Sequence, residues 1–259
     1  NTTAIGSWAL AANTTGANNT GIGYRALYLN TTASNNTAVG YGAVYSNTTG
    51  TGNTGIGVEA GLSLTTSSYN TALGFRALKL TTTASNNTAV GTFALQANTT
   101  GASNVAVGGY SLLSNTTASN NTAVGYQAGY SNTTGAENTA AGYVSMYSNT
   151  TGSNNTAYGR SSLPVNQTGS NNVAVGWGSL NFTTSSDNTA VGYQAGYSRT
   201  GSGNTCVGNY SGRDGTSGTD NTFVGRNSGY TITSGSKNTI IGMYNGNQHG
   251  LDIRTSSNN

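Results

Sequence analysis

Charge is scarce in this chain. Only 6% of its 259 residues are Asp, Glu, Lys or Arg, against about 25% in an average domain. The nine Lys and Arg outnumber the six Asp and Glu, for a net charge of +3. They form no basic run, which argues against nucleic acid and anionic membranes as partners. Cys206 is the only cysteine, so no intrachain disulfide exists. Pro164 is the only proline and His249 the only histidine. No apolar stretch approaches the roughly 20 residues of a membrane-spanning helix, so membrane insertion is not expected. Low charge with 34% hydrophobic residues is compatible with disorder. Apolar residues nevertheless recur at fixed positions, which a disordered chain does not need.

What the chain has is repetition. The string "NNTAVGYQAGYSNTTG" at 120–135 returns as "DNTAVGYQAGYSRTG" at 187–201. With the Gly of each "NTAVG" as anchor, copies fall at Gly6, Gly23 and Gly40 and so on to Gly242. There are fifteen copies, 17 residues apart except for two steps of 16 around Gly192. Four residues before the anchor stands Asn in fourteen copies: Asn19, Asn36, Asn53, Asn70, Asn87, Asn104, Asn121, Asn138, Asn155, Asn172, Asn188, Asn204, Asn221 and Asn238. Thr usually follows, then Ala or Gly, then Val, Ile or Leu, then the anchor.

A 17-residue period is too short for two packed helices, and Gly and Asn-Thr pairs every few residues break helices. It suits one coil of a β-solenoid. The fold class is therefore all-β: a parallel β-solenoid or β-roll of 15 coils of about 17 residues, spanning 1–246. Residues 247–259 read as a C-terminal linker to a further region. Each coil is expected to hold a strand at "TAVGY", a shorter second strand at "xALYS" or "QAGYS", and turns at "NTTG" and the Asn-Asn pair. Coils stacked at about 4.8 Å would make a rod of roughly 70 Å. The Asn column is expected to form a ladder of amide hydrogen bonds or to satisfy turn backbone groups. The Val/Ile column is expected inside the coil. The small residues of opposite parity are expected against neighbouring chains, which favours three chains about one axis over the alternative of a lone monomeric solenoid.

Two aromatic columns accompany the strand. One follows the anchor at Tyr24, Tyr41, Phe75, Tyr126, Tyr143, Trp177 and Tyr193; the other lies five residues after it at Tyr28, Tyr45, Tyr130, Tyr147, Tyr197 and Tyr230. They read as stacking ladders or as a sugar-binding face. "NTT" sequons at Asn13, Asn30, Asn47, Asn98, Asn115, Asn132 and Asn149 share one polar turn. "NNT" sequons at Asn18, Asn35, Asn86, Asn120 and Asn154 share the other. They are exposed glycosylation acceptors or simply good turn formers.

The unit "NTAVGYQAGYS" resembles the head repeats of trimeric autotransporter adhesins, which implies left-handed parallel β-rolls of three chains. With the added "SNTTG" turn, it also resembles the repeat regions of tail-fibre-like proteins of phages and related bacterial surface proteins. The tail "GLDIRTSSNN" resembles the linker after such repeats, where a self-cleaving chaperone module often follows.

No catalytic, cofactor-binding or metal-binding set stands out, and no cofactor is expected. Cys206 falls in the small column and reads as a buried small residue. His249 and Asp252 lie three apart without a nucleophile. "SGRDGTSGTDN" is oxygen-rich but lacks the acidic spacing of a calcium loop. The leading expectation is the shaft of an extracellular, cell-surface or virion fibre, whose partner is itself as homotrimer or filament. The alternatives are a repeat surface that binds cell-surface glycans and an ice-binding solenoid built on the Thr column.

Overall fold

A computed structural model describes residues 1–248, 251–252, 255 and 257. The chain divides into two compact units, Asn1–Thr134 and Gly135–Asn259. The repeat itself has no break there, since anchors Gly125 and Gly142 keep the 17-residue step.

The first unit contains eight three-residue strands, from Thr3–Ile5 to Thr122–Val124. Each pairs in parallel with the next, and equivalent residues face each other: Thr20 with Thr37, Gly21 with Ala38, Ile22 with Val39. The second unit contains seven such strands, from Thr139–Ala141 to Thr239–Ile241, in the same parallel register. The two 16-residue steps keep this register, pairing Val173 with Thr189 and Thr189 with Thr205. The missing residue comes out of the polar turn, where Ser185 O accepts from Asn172 at 2.9 Å as Gly169 O accepts from Asn155 one coil earlier. Turns absorb deletions that strands do not. Beyond the last coil, Asn247–Gln248 pairs antiparallel with Leu251–Asp252. No helix among the described residues is long and apolar enough to cross a membrane.

The β-solenoid is as expected, but its inside and outside are exchanged along the strand. The Ala column is interior: Ala38, Ala72, Ala89, Ala106, Ala157, Ala174 and Ala190 are fully buried. The Val/Ile column faces out, with Ile56 38%, Leu73 42% and Val124 43% exposed. Alternate residues of a strand point to opposite faces, so one column must lose. Most coils spend their small cross-section on Leu, Val or Met four residues after the anchor, on Ala or Ser just before that, and on two Asn columns. Leu27, Leu78, Leu95, Met146 and Leu163 fill this interior. Ala is what still fits beside them.

The expected second strand is also corrected. The segment after the anchor is a run of turns. The residues two and four after it adopt left-handed backbone, as at Arg25 (φ 56°), Leu27 (52°), Arg76 (56°) and Leu78 (53°). That conformation costs an L-residue about 1–2 kcal/mol. Stacking offsets it, because Leu27 N–H donates to Ala43 O at 3.1 Å and Leu78 N–H to Ala94 O at 3.0 Å in the following coils. The coil is thus in register all round, though extended along only three residues.

The anchor glycine has a steric cause. Gly91 has φ +136°, and a Cβ there would stand 2.6 Å from the carbonyl carbon and oxygen of Gly108. No side chain fits between backbones that close.

Later coils of the second unit swap volumes. The Ala column reads Cys206, Phe223 and Ile240, while the Leu column reads Gly196, Gly212 and Gly229. The Phe223 ring occupies the space of the missing Leu: a Cβ on Gly229 would lie 2.5 Å from Phe223 Cδ1. A large residue in one column thus offsets a glycine in the other.

Candidate functional site

The Asn column forms the ladder that its repetition suggests. Asn36 N–H donates to Asn19 Oδ1 (2.9 Å), Asn53 N–H to Asn36 Oδ1 (2.8 Å) and Asn70 N–H to Asn53 Oδ1 (3.0 Å). The second unit repeats this through Asn172, Asn188, Asn204, Asn221 and Asn238 at 2.9–3.1 Å. Each side-chain oxygen thus takes a backbone N–H that no strand partner serves.

The "NTT" asparagines form a second interior ladder, contrary to the exposed-acceptor reading. Asn30, Asn47, Asn98, Asn115 and Asn149 are fully buried, Asn132 is 2% exposed, and Asn13, in the first coil, is partly buried. Asn30 Nδ2 donates to Asn13 Oδ1, Asn47 Nδ2 to Asn30 Oδ1 (both 2.8 Å) and Asn132 Nδ2 to Asn115 Oδ1 (2.9 Å). The amide nitrogen that a glycan would need is inside the coil and already donating. The two ladders meet at one carbonyl per turn. Ala33 O accepts from Asn19 and Asn30, and Gly50 O from Asn36 and Asn47, at 2.7–3.0 Å. The exposed sequon asparagines are those of the other turn, Asn18, Asn35, Asn86, Asn120 and Asn154, held at φ 57–62°.

The aromatic columns stack. Tyr24 lies on Tyr41 (centroids 5.4 Å, planes 19° apart), Tyr28 on Tyr45 (5.2 Å, 16°) and Trp177 on Tyr193 (5.0 Å, 13°). Many outer faces stay exposed, Tyr41 by 53% and Tyr143 by 51%.

Cys206 is fully buried in the strand Thr205–Val207. Burial pushes its thiol up, against the pull of the nearby Arg199 guanidinium. Arg199 is the residue that sequence reasoning missed. It stands where the second Asn column is due, yet it is fully buried. Its side chain runs past Gly215, where a Cβ would meet Cζ at 2.4 Å, and stacks 4.7 Å from the Phe223 ring centroid. Its bonds are long: Nη1 to Asn204 Oδ1 at 3.4 Å and Gly218 O at 3.5 Å, and Nη2 to Ile232 O at 3.3 Å. Desolvation lowers its pKa. The visible signal was a column reading Thr183, Arg199, Gly215: a large residue followed by none.

The "SGRDGTSGTDN" acids do not converge. Asp214 is bound by Arg213 at 2.8 Å, and Asp220 Oδ2 accepts from Thr219 Oγ1 at 3.2 Å. Among the described residues no three His, Cys, Asp or Glu side chains gather. His249 lies outside the described residues, as do most of the residues of the expected linker.

The most site-like feature lies in the first unit, on the column two residues after the anchor. There Arg25, Gly42, Glu59 and Arg76 follow one another. Gly42 is the gap in the row, and a cleft of about 270 Å³ opens there between Tyr41, Tyr45, Arg25, Glu59 and Ser63. Glu59 accepts from Arg76 Nε and Lys79 Nζ, both at 2.8 Å. The Lys79 hydrogen bond, helped by Arg76 and opposed by desolvation, holds its carboxyl below the usual range. Arg25, Glu59, Arg76 and Lys79 are the only charged side chains of the first 134 residues. Tabulating charges by column would have found the cluster in the sequence.

No protein-family model, curated protein or solved structure matches this chain.

Proposed function

We propose that this chain is the shaft of a homotrimeric extracellular or virion fibre, a spacer that carries a binding tip away from its anchor. One observation carries the reading. In the first unit the strand face turned outward is a continuous column of Val, Ile and Leu flanked mostly by Thr; in the second the column runs Ala141, Tyr158 and then Val or Ile from Val175 to Ile241, and no residue of either column is buried within its own chain. Contiguous exposed apolar surface marks an interaction face, and a second and third copy present the same in-register column to cover it. The contact is therefore assigned to Val and Ile, not to the small residues, which lie inside. The resemblance of "NTAVGYQAGYS" to trimeric adhesin heads and tail-fibre repeats supports three chains. In-register repetition supports a shaft, because each coil templates the next and length grows without a new fold. Light scattering on refolded chain tests it: a trimer at all concentrations is expected, and a stable monomer overturns it.

A second reading is favoured by the cleft at Gly42 and the exposed tyrosine rails. In it the repeat surface itself binds cell-surface glycans, with many weak contacts summing along the fibre.

A further inference from the structure

We infer that the Gly42 cleft of the first unit is a binding site for a pyranose bearing one carboxylate, of the uronic acid class. The inference rests on the glycan-binding reading and is independent of the shaft.

The cleft is made by an omission. Elsewhere in this column of the first unit the residue two after the anchor carries a side chain: Trp8, Arg25, Glu59, Arg76, Phe93, Tyr110 and Gln127. At Gly42 that side chain is absent, and the two tyrosine columns on either side become walls. Tyr41 and Tyr45 stand there, each stacked on the tyrosine one coil below. An aromatic wall takes the apolar C–H face of a sugar ring, as it takes other apolar bodies with polar rims. The volume of about 270 Å³ lies near the lower end of ligand clefts, about 300–1,000 Å³, which is room for one ring.

Charge selects the acid. One coil below the gap lies Arg25, its Cζ 5.1 Å from the Tyr24 ring centroid and 5.4 Å from that of Tyr28. The guanidinium is held by ring faces and its Nε, out of contact with solvent, has no hydrogen-bond partner. Arg213 in the second unit shows what a satisfied arginine looks like on this surface. It also lies against three tyrosines, but its Nε donates to Gln194 at 3.0 Å and its Nη1 to Asp214 and Tyr230 at 2.8 Å. Arg25 has the rings without the acceptors. Arg25 lines the cleft, and a carboxylate seated there supplies an acceptor to the outer nitrogens of its guanidinium. Glu59, one coil above the gap, does not repel it outright, because Arg76 and Lys79 neutralise it. Three cations and one anion leave this corner at +2. The lone pairs left on Glu59 and the Ser63 hydroxyl are available to ring hydroxyls.

Calorimetric titration of the 259-residue chain tests this with D-glucuronate and D-galacturonate, D-glucose as the neutral control and acetate as the anion control. Two variants fit the backbone as it stands, because Gln127 and Gln194 already occupy this column at φ 55° and 50°. Gly42→Gln fills the gap and is expected to abolish uronate binding. Arg25→Gln is expected to weaken uronate by about tenfold to a hundredfold, to the level of glucose. Both variants are expected to melt like the parent. A uronate that binds at least tenfold more tightly than glucose and acetate, is lost in Gly42→Gln and falls to the level of glucose in Arg25→Gln supports the site. The inference is overturned if uronates fail to bind, if acetate binds as tightly (an anion site only), if glucose binds as tightly, or if Gly42→Gln retains binding. None of these outcomes depends on the number of chains, so failure here and failure of the trimer are separate results.

Discussion

Two asparagines of equal burial should differ sharply when replaced by alanine. Asn53 and Asn47 are both fully buried, one in each ladder. Asn53→Ala removes three hydrogen bonds: Oδ1 accepts from Asn70 N–H (3.0 Å) and Asn70 Nδ2 (3.1 Å), and Nδ2 donates to Ser67 O (2.8 Å). The Asn70 N–H and the Ser67 carbonyl are left without these partners inside the coil. An orphaned buried group costs about 1–3 kcal/mol and each bond lost contributes about 1 kcal/mol net, so the change should cost about 3–5 kcal/mol. Asn47→Ala removes the bonds to Asn30 Oδ1 and Gly50 O. Gly50 O keeps its bond from Asn36. The change strands Asn30 Oδ1 but deletes Asn47 Oδ1, itself buried without a partner. The orphan count is unchanged, and the expected cost is about 1–2 kcal/mol. Native-state hydrogen exchange reads the difference locally. Protection of the Asn70 amide should fall more than about hundredfold in Asn53→Ala and much less in Asn47→Ala. Equal losses would mean that burial, not hydrogen-bond accounting, governs these ladders.

Three further outcomes follow from the same geometry. Gly91→Ala should destabilise the first unit by more than about 3 kcal/mol by urea titration, because its Cβ collides with Gly108 backbone and no side chain can yield. Val107→Asp, on the outward column, should leave circular dichroism unchanged while abolishing self-association; loss of fold instead would return the Val column to the interior. Cys206 should resist thiol reagents until the second unit opens. Its folded pKa is raised by burial, so its contribution to stability is intact below the unfolded thiol pKa of about 8.5. That contribution is lost as pH rises from there through the folded value. Cys206→Ala should flatten this alkaline dependence.

The solenoid was legible because its signals are periodic: Asn four before the anchor, Gly at it, and a constant step. The face of the strand was not. A three-residue strand such as Thr37–Val39 offers two parities, and hydropathy alone puts Val39 inside. What decides is space, since Leu27 and the two Asn columns leave room only for Ala38. The "NTT" column misled for a related reason. Asn-Thr-Thr is ordinary turn chemistry, and nothing local in it says that Asn30 turns inward to meet Asn13. The left-handed Leu27 was equally hidden, because leucine has no preference for that backbone and stacking alone holds it there. The Gly42 cleft was readable in principle, as one glycine in a column of side chains beside the few charges of the first unit.

The proposed shaft depends on three chains joined through their outward Val and Ile columns. Light scattering coupled to size-exclusion chromatography, on refolded chain across a wide dilution range, tests it most directly. A constant mass of three times the 26.0 kDa chain is expected. A mass of one chain, stable on concentration, would contradict it.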